Sequence, residues 1–268
     1  MQATSFGANR TGARMSPLDT GTMATVADEA SPETLILTPA MDAAKLAYAA
    51  EADTIGSVPP PLSLKGVAKA GMAALKGGAP SVFVDKLGER LAFERSGTRL
   101  YEDLIIKYEA AQQSGSGALP PAAEVLKTLP GVDVLLEVLE EDPLATLMRI
   151  RNEELAHFQM LGDCLQRMGG DPTAMTPSAD VAGVATGGIL QVVTDPRTTL
   201  AQALTAILSA EVTDQAGWEL LEVLAKGVGQ PDLTTSFHGA LEQEQEHVAI
   251  IRSWLACLLS REAGTAAV

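Results

Sequence analysis

The 268-residue chain is predicted to be all-α, built around four long helices, and three observations carry that expectation. Alanine and aliphatic residues dominate a hydrophobic content of 46%, aromatics make up only 4%, and runs rich in β-formers are scarce. Four segments space their apolar residues by threes and fours, the period of a helix that buries one stripe. Each of those stripes is broken near its middle by a carboxylate.

Taken in order, residues 1–81 form an N-terminal extension. Residues 1–38 are rich in Thr, Ala, Gly and Ser with no helical stripe, and are expected to be mobile or draped over the surface. Residues 39–52 contain the helix-favouring run Met41-Asp42-Ala43-Ala44-Lys45-Leu46-Ala47-Tyr48, a short helix that Val58-Pro59-Pro60-Pro61 would end. A weakly amphipathic stretch follows at 64–75. Gly77-Gly78-Ala79-Pro80 then separates it from the first long helix, expected at 82–112, whose stripe is Leu87, Leu91, Glu94, Thr98, Tyr101, Ile105 and Tyr108.

Residues 113–143 are an insertion with Ser114-Gly115-Ser116-Gly117 and Pro120-Pro121, then two apolar segments at 122–129 and 132–140. These read as small helices over one end of a bundle. The second long helix, at 143–168, carries Leu147, Ile150, Glu154, His157, Leu161, Cys164 and Met168. Residues 169–196 are long enough to cross a bundle about 30 Å in length. They end in Thr194-Asp195-Pro196, where Thr or Asp can cap a third helix at 197–226 with the stripe Leu200, Leu204, Ile207, Glu211, Asp214, Trp218 and Leu221. Gly227-Val228-Gly229-Gln230-Pro231-Asp232 allows little more than an antiparallel turn. The fourth helix, 232–260, runs Phe237, Ala240, Glu244, His247, Ile251, Trp254 and Leu258, and residues 263–268 are a tail. The expected domain is thus 82–262.

Carboxylates buried in one core are prohibitive unless something positive lies among them, because an unpaired buried charge costs several kcal/mol or is neutralised. No Lys or Arg falls on the four stripes. Divalent cations would supply the charge, and two motifs supply imidazole: Glu154-Leu155-Ala156-His157 and Glu244-Gln245-Glu246-His247. At a spacing of three on a helix, Glu and His project from the same face one turn apart. Oxygen and imidazole donors suit iron or manganese.

This order, Glu94, Glu154-x-x-His157, Glu211, Glu244-x-x-His247, resembles that of the ferritin-like di-iron carboxylate proteins, which include bacterioferritins, rubrerythrins, di-iron oxygenases and the radical subunits of ribonucleotide reductase. The resemblance covers residues 86–260. It implies a ferritin-like four-helix bundle holding two iron ions, with manganese as an alternative. Glu154 and Glu244 would bridge, Glu94 and Glu211 would be terminal carboxylates, and His157 and His247 would each hold one metal. Asp214 stands where some rubrerythrin-like members carry an additional acid, as a seventh ligand or a partner of one.

The chain departs from those families in its long extension, which does not suit a close-packed ferritin cage, and in lacking the paired Cys-x-x-Cys of the rubredoxin-like module. The resemblance therefore identifies the superfamily and no subfamily. It implies oxidase activity, as ferroxidase or in peroxide or O₂ reduction. An oxygenase or oxidase acting on a small organic substrate is the alternative enzyme. A non-catalytic protein that binds metal for stability or as cargo is the third reading.

Plain alternatives stand beside these roles. A lone His on an apolar stripe is usually a hydrogen-bonded core residue. Tyr101, two turns from Glu94, could hydrogen-bond or act in redox chemistry, but packing is the commoner use of a Tyr there. The Thr98 hydroxyl could line an oxygen or substrate pocket or simply satisfy its own helix. His238 lacks the pattern, Trp218 reads as core, Glu153 in register with Arg149 reads as a solvated charge, and Glu102 aligns with Arg95 and Arg99 at the surface.

With 19 basic and 34 acidic residues the net charge is −15, which disfavours nucleic acid and anionic membrane as partners. The two cysteines, Cys164 and Cys257, are too few and too far apart for a disulfide framework and read as reduced core thiols. No secretory leader or membrane span is read, so a cytoplasmic protein is expected, with homo-oligomerisation open.

Overall fold

The computed structural model describes residues 80–115, 118–126 and 141–265, with a few positions before residue 53. The chain divides into two units, Met1–Ile55 and Gly56–Val268. In the first, the described residues from 43 to 50 are helical and exposed, in keeping with the short helix expected at 39–52. The expectations for 58–61, 64–75 and 132–140 lie outside the described residues, as does that for 1–38 apart from Thr25.

The described part of the second unit is helical, with no strand among its described residues. In chain order it contains α1 (Pro80–Gln113), α2 (Ala122–Val125), α3 (Pro143–Met168), α4 (Pro177–Thr194), α5 (Leu200–Gly227) and α6 (Pro231–Glu262). Local chemistry sets the ends. The Asp142 side chain accepts from the Leu144 and Ala145 amides ahead of Pro143, and Gly169 closes α3 at φ 84°, a left-handed conformation that glycine adopts without steric cost.

Two expectations about the 169–196 stretch need correction. It is not a plain crossover, since most of it is α4. This helix has no clean apolar stripe, and its three glycines and many valines are poor helix formers. The Thr176-Pro177 start was a readable signal: Thr176 caps the Ala179 amide and Pro177 occupies the first turn. The cap of α5 is Thr199 rather than Thr194 or Asp195, in a reciprocal capping box with Gln202.

α1 packs along α3 and α4 and also meets α5, α5 packs along α6, and the short α2 sits on α6. The start of α4 is tied to α1, where the Asp85 carboxylate accepts from the Ser178 amide (2.9 Å) and hydroxyl (2.6 Å). Near α2, the Trp254 indole donates to the Pro120 carbonyl at 2.8 Å, and Leu119, Ala122, Val125 and Leu126 join the core.

The core is split into two apolar clusters. One gathers Tyr101 and Leu104 of α1, Leu147 and Ile150 of α3, Leu204 and Ile207 of α5, and Ile251 and Trp254 of α6. The other gathers Phe83 and Leu87, Leu161 and Cys164, Trp218 and Leu221, and Phe237 and Ala240 from the same four helices. Sequence order then fixes direction. α1 and α6 run from the second cluster to the first, α3 and α5 run the opposite way, and each crosses the boundary at its acidic residues.

Candidate metal centre

Seven ligand-type side chains fill that boundary: Glu94 from α1, Glu154 and His157 from α3, Glu211 and Asp214 from α5, and Glu244 and His247 from α6. None is more than 3% exposed. They form three overlapping groups whose ligand atoms lie within 4.8 Å of one another. The first is Glu154, Glu211, Glu244 and His247. The second is Glu94, His157 and Glu244, and the third is Glu94, Glu154, Asp214 and Glu244. Glu244 belongs to all three.

Both imidazoles aim Nδ1 inward. His157 Nδ1 lies 3.0 Å from Glu244 Oε1 and 3.5 Å from Glu94 Oε2. His247 Nδ1 lies 3.4 Å from Glu154 Oε1, 3.5 Å from Glu211 Oε2 and 3.4 Å from Glu244 Oε2. Each ring is turned from behind. Nε2 of His157 donates to Gln243 Oε1 at 2.8 Å, and Nε2 of His247 donates to Glu153 Oε2 at 2.9 Å. With a proton held on Nε2, Nδ1 is the nitrogen turned to the acids, where a proton or a metal can sit, the orientation that metal-ligating histidines adopt. The ring centroids stand 6.5 Å apart.

Nine atoms of this cluster have no hydrogen-bond partner among the described residues: both carboxylate oxygens of Glu94, Glu154 and Glu244, Oε2 of Glu211, and Nδ1 of both histidines. Buried polar atoms are normally paired, so such a concentration calls for a missing partner. A divalent cation fits. The donors are hard oxygens and imidazole nitrogens, no thiolate is among them, and at least one ligand atom of each residue lies within 4.8 Å of its group's others.

Protons compete with metal for the same atoms. Burial, then the charges of Glu244 and Glu94, push the Glu154 carboxyl well above its usual range. Burial opposes ionisation of Glu244 too, but the two histidines outweigh it and hold this carboxyl at about 2. For His157 burial favours the neutral ring, yet Glu244 and Glu94 lift its pKa to about 11.

The neighbours separate the roles left open by the sequence. The Tyr101 hydroxyl donates to Glu211 Oε1 at 2.6 Å, so this Tyr orients a carboxylate as well as packing. Thr98 donates to the Glu94 carbonyl one turn back, the plain helical alternative. Trp218 is core and meets the His157 ring edge-on at 5.3 Å. His238 is half exposed beside Glu222 and Glu242.

One expectation is overturned, and two others are completed by contacts the sequence did not show. Glu153 is not a free solvated charge: it joins Arg149 to His247, while Arg149 also binds Glu141 and Glu246. Glu102 is exposed, as expected, and pairs with Arg151 of α3. The stripes carry no basic residue, but the core holds one beside them: Arg90 is 3% exposed and pairs with Asp214. Arg90 directly precedes Leu91 of the stripe, and only the packing of α5 against α1 shows where its side chain ends.

Sequence reasoning also missed Gly97. A Cβ at this position on α1 would collide with Glu154 Oε2, so the glycine gives that carboxylate its space. Elsewhere, a surface cleft of about 600 Å³ is bordered by Asp103, Lys107, Thr198 and Glu262, and no member of the cluster lines it.

No helix among the described residues is long and apolar enough to cross a membrane. Comparison with protein-family models, curated proteins and solved structures found no match to this chain.

Proposed function

We propose that the chain is a ferritin-like non-haem di-iron protein whose four crossing helices act as a four-helix bundle around two iron ions, and that it reduces O₂ or peroxide, with Fe²⁺ oxidation as its minimal activity. One observation carries this reading. Two groups of buried ligand residues, one with His157 and one with His247, share Glu244, and nine of their polar atoms have no hydrogen-bond partner among the described residues. The order of these residues along the chain, in which α1 and α5 each contribute a Glu and α3 and α6 each a Glu-x-x-His, resembles the di-iron carboxylate pattern.

In this reading Glu244 would serve both ions, since its Oε1 faces His157 and its Oε2 faces His247. Glu154 and Glu211 complete the position at His247, and Glu94 completes the one at His157. Two ferrous ions held by these residues would supply one electron each to the oxidant. The protein's own part is positional. Gln243 and Glu153 fix the imidazoles, Tyr101 fixes Glu211, Gly97 leaves room for Glu154, and the two apolar clusters keep bulk water away. Manganese fits the same donors.

The test is anaerobic loading with Fe²⁺ followed by exposure to O₂ or to peroxide. About two Fe²⁺ per chain should bind, and oxidant should be consumed as ferric absorbance grows. His247→Ala should abolish or strongly slow consumption, whereas His238→Ala should leave it nearly intact. Equal behaviour of the two variants would contradict the assignment of His247. Iron that loads without any oxidant being consumed would move the reading to a non-catalytic metal protein.

A further inference from the structure

The third group of ligand atoms differs from the others in containing no histidine. Glu94, Glu154, Asp214 and Glu244 make an all-oxygen set, each member no more than 2% exposed, with both oxygens of Glu94, Glu154 and Glu244 unpartnered among the described residues. Asp214 is held by Arg90, whose Nη1 donates to its Oδ1 and, at 3.1 Å, to its backbone carbonyl. We infer that Arg90 fixes the capacity of the cluster at two divalent ions, by holding Asp214 away from a third, oxygen-only position that Asp214 would otherwise complete with Glu94, Glu154 and Glu244.

The guanidinium has a made place. Its side chain is 4% exposed, and its carbon lies 4.2 Å from the centroid of the Phe93 ring. On α5, a Cβ at Gly217 would collide with the guanidinium, so the glycine there is what lets α5 close over Arg90. Charge counting agrees. Once metal has displaced the protons, the five buried acids Glu94, Glu154, Glu211, Asp214 and Glu244 would carry −5 and Arg90 +1, and the remaining −4 equals the charge of two divalent ions. Removing Arg90 leaves Asp214 as an unpaired buried anion, a costly state. A hard divalent cation is the partner that suits carboxylate oxygens freed in this way.

This inference rests on the two-metal reading, and the test separates them. The full chain is stripped of metal and dialysed to equilibrium against Mn²⁺, chosen because it suits oxygen donors, and bound metal is counted per chain. Wild type should hold two ions, Arg90→Met should hold three, and Arg90→Met combined with Asp214→Asn, which removes both partners, should return to two. If Arg90→Met binds two or fewer while wild type binds two, the inference is overturned and the two-metal reading survives. Wild type that binds fewer than two overturns both. Should Arg90→Met fail to fold, Asp214→Asn alone decides the matter. With Arg90 kept, the acids balance only −3, so the second Mn²⁺ should bind at least tenfold more weakly, and unchanged affinity for both ions would overturn the inference.

Discussion

Glu244→Ala is expected to empty the cluster of both ions at once. Glu244 is the one residue common to every group of ligand atoms, and its two oxygens face different histidines, Oε1 towards His157 and Oε2 towards His247. Metal that binds only the folded chain stabilises it by about 2.7 kcal/mol per site at a free concentration of 100 Kd. Two sites then raise the melting temperature by roughly 10–20 °C, at about 2–4 °C per kcal/mol for a fold of this size. Wild type should show that gain between chelated and metal-saturated protein, Glu244→Ala should lose nearly all of it, and His157→Ala should keep about half. The same metal-dependent gain in wild type and Glu244→Ala would show that the carboxylate does not hold the ions.

Gly97→Ala should separate binding from folding. Alanine in a helix interior is favoured over glycine by roughly 0.5–1 kcal/mol, so the chelated protein should melt no lower than wild type. The added methyl, however, takes the space of Glu154 Oε2. Displacing a ligand in this way should weaken metal binding by about 10–100-fold, the range seen when the supports of metal ligands are changed. Isothermal titration of the stripped protein with Mn²⁺ measures this directly. An affinity equal to that of wild type would mean that Glu154 is not a ligand in the position observed.

The four ligand helices were legible because each buries one stripe, and a stripe with period 3.6 is written directly in the residues. α3 runs over 143–168 as expected, and α1, α5 and α6 differ from expectation by a few residues at their ends. α4 was illegible for the opposite reason. Only Ala179 and Val193 of that helix are buried, so selection for a buried face has left little periodic trace. The cluster itself was legible as far as acids and imidazoles stood where aliphatic residues belong.

What supports the cluster was not legible. Gln243 and Glu153 each precede a residue of a buried stripe by one, and turn the histidines only because α3 and α6 present them across the layer. Gly97 and Gly217 matter for atoms they exclude, and an absent side chain leaves no pattern. Arg90 reaches Asp214 across 124 residues of sequence, a contact that no local spacing encodes.

The central claim, two metals between two inward-facing Nδ1 atoms, is tested most directly by anomalous diffraction at the iron edge from crystals loaded anaerobically with Fe²⁺. The expected result is two peaks per chain about 3.5–4 Å apart, one beside Nδ1 of His157 and the other beside Nδ1 of His247, with Glu244 between them. A single peak, no peak, or iron bound away from these two nitrogens would contradict it.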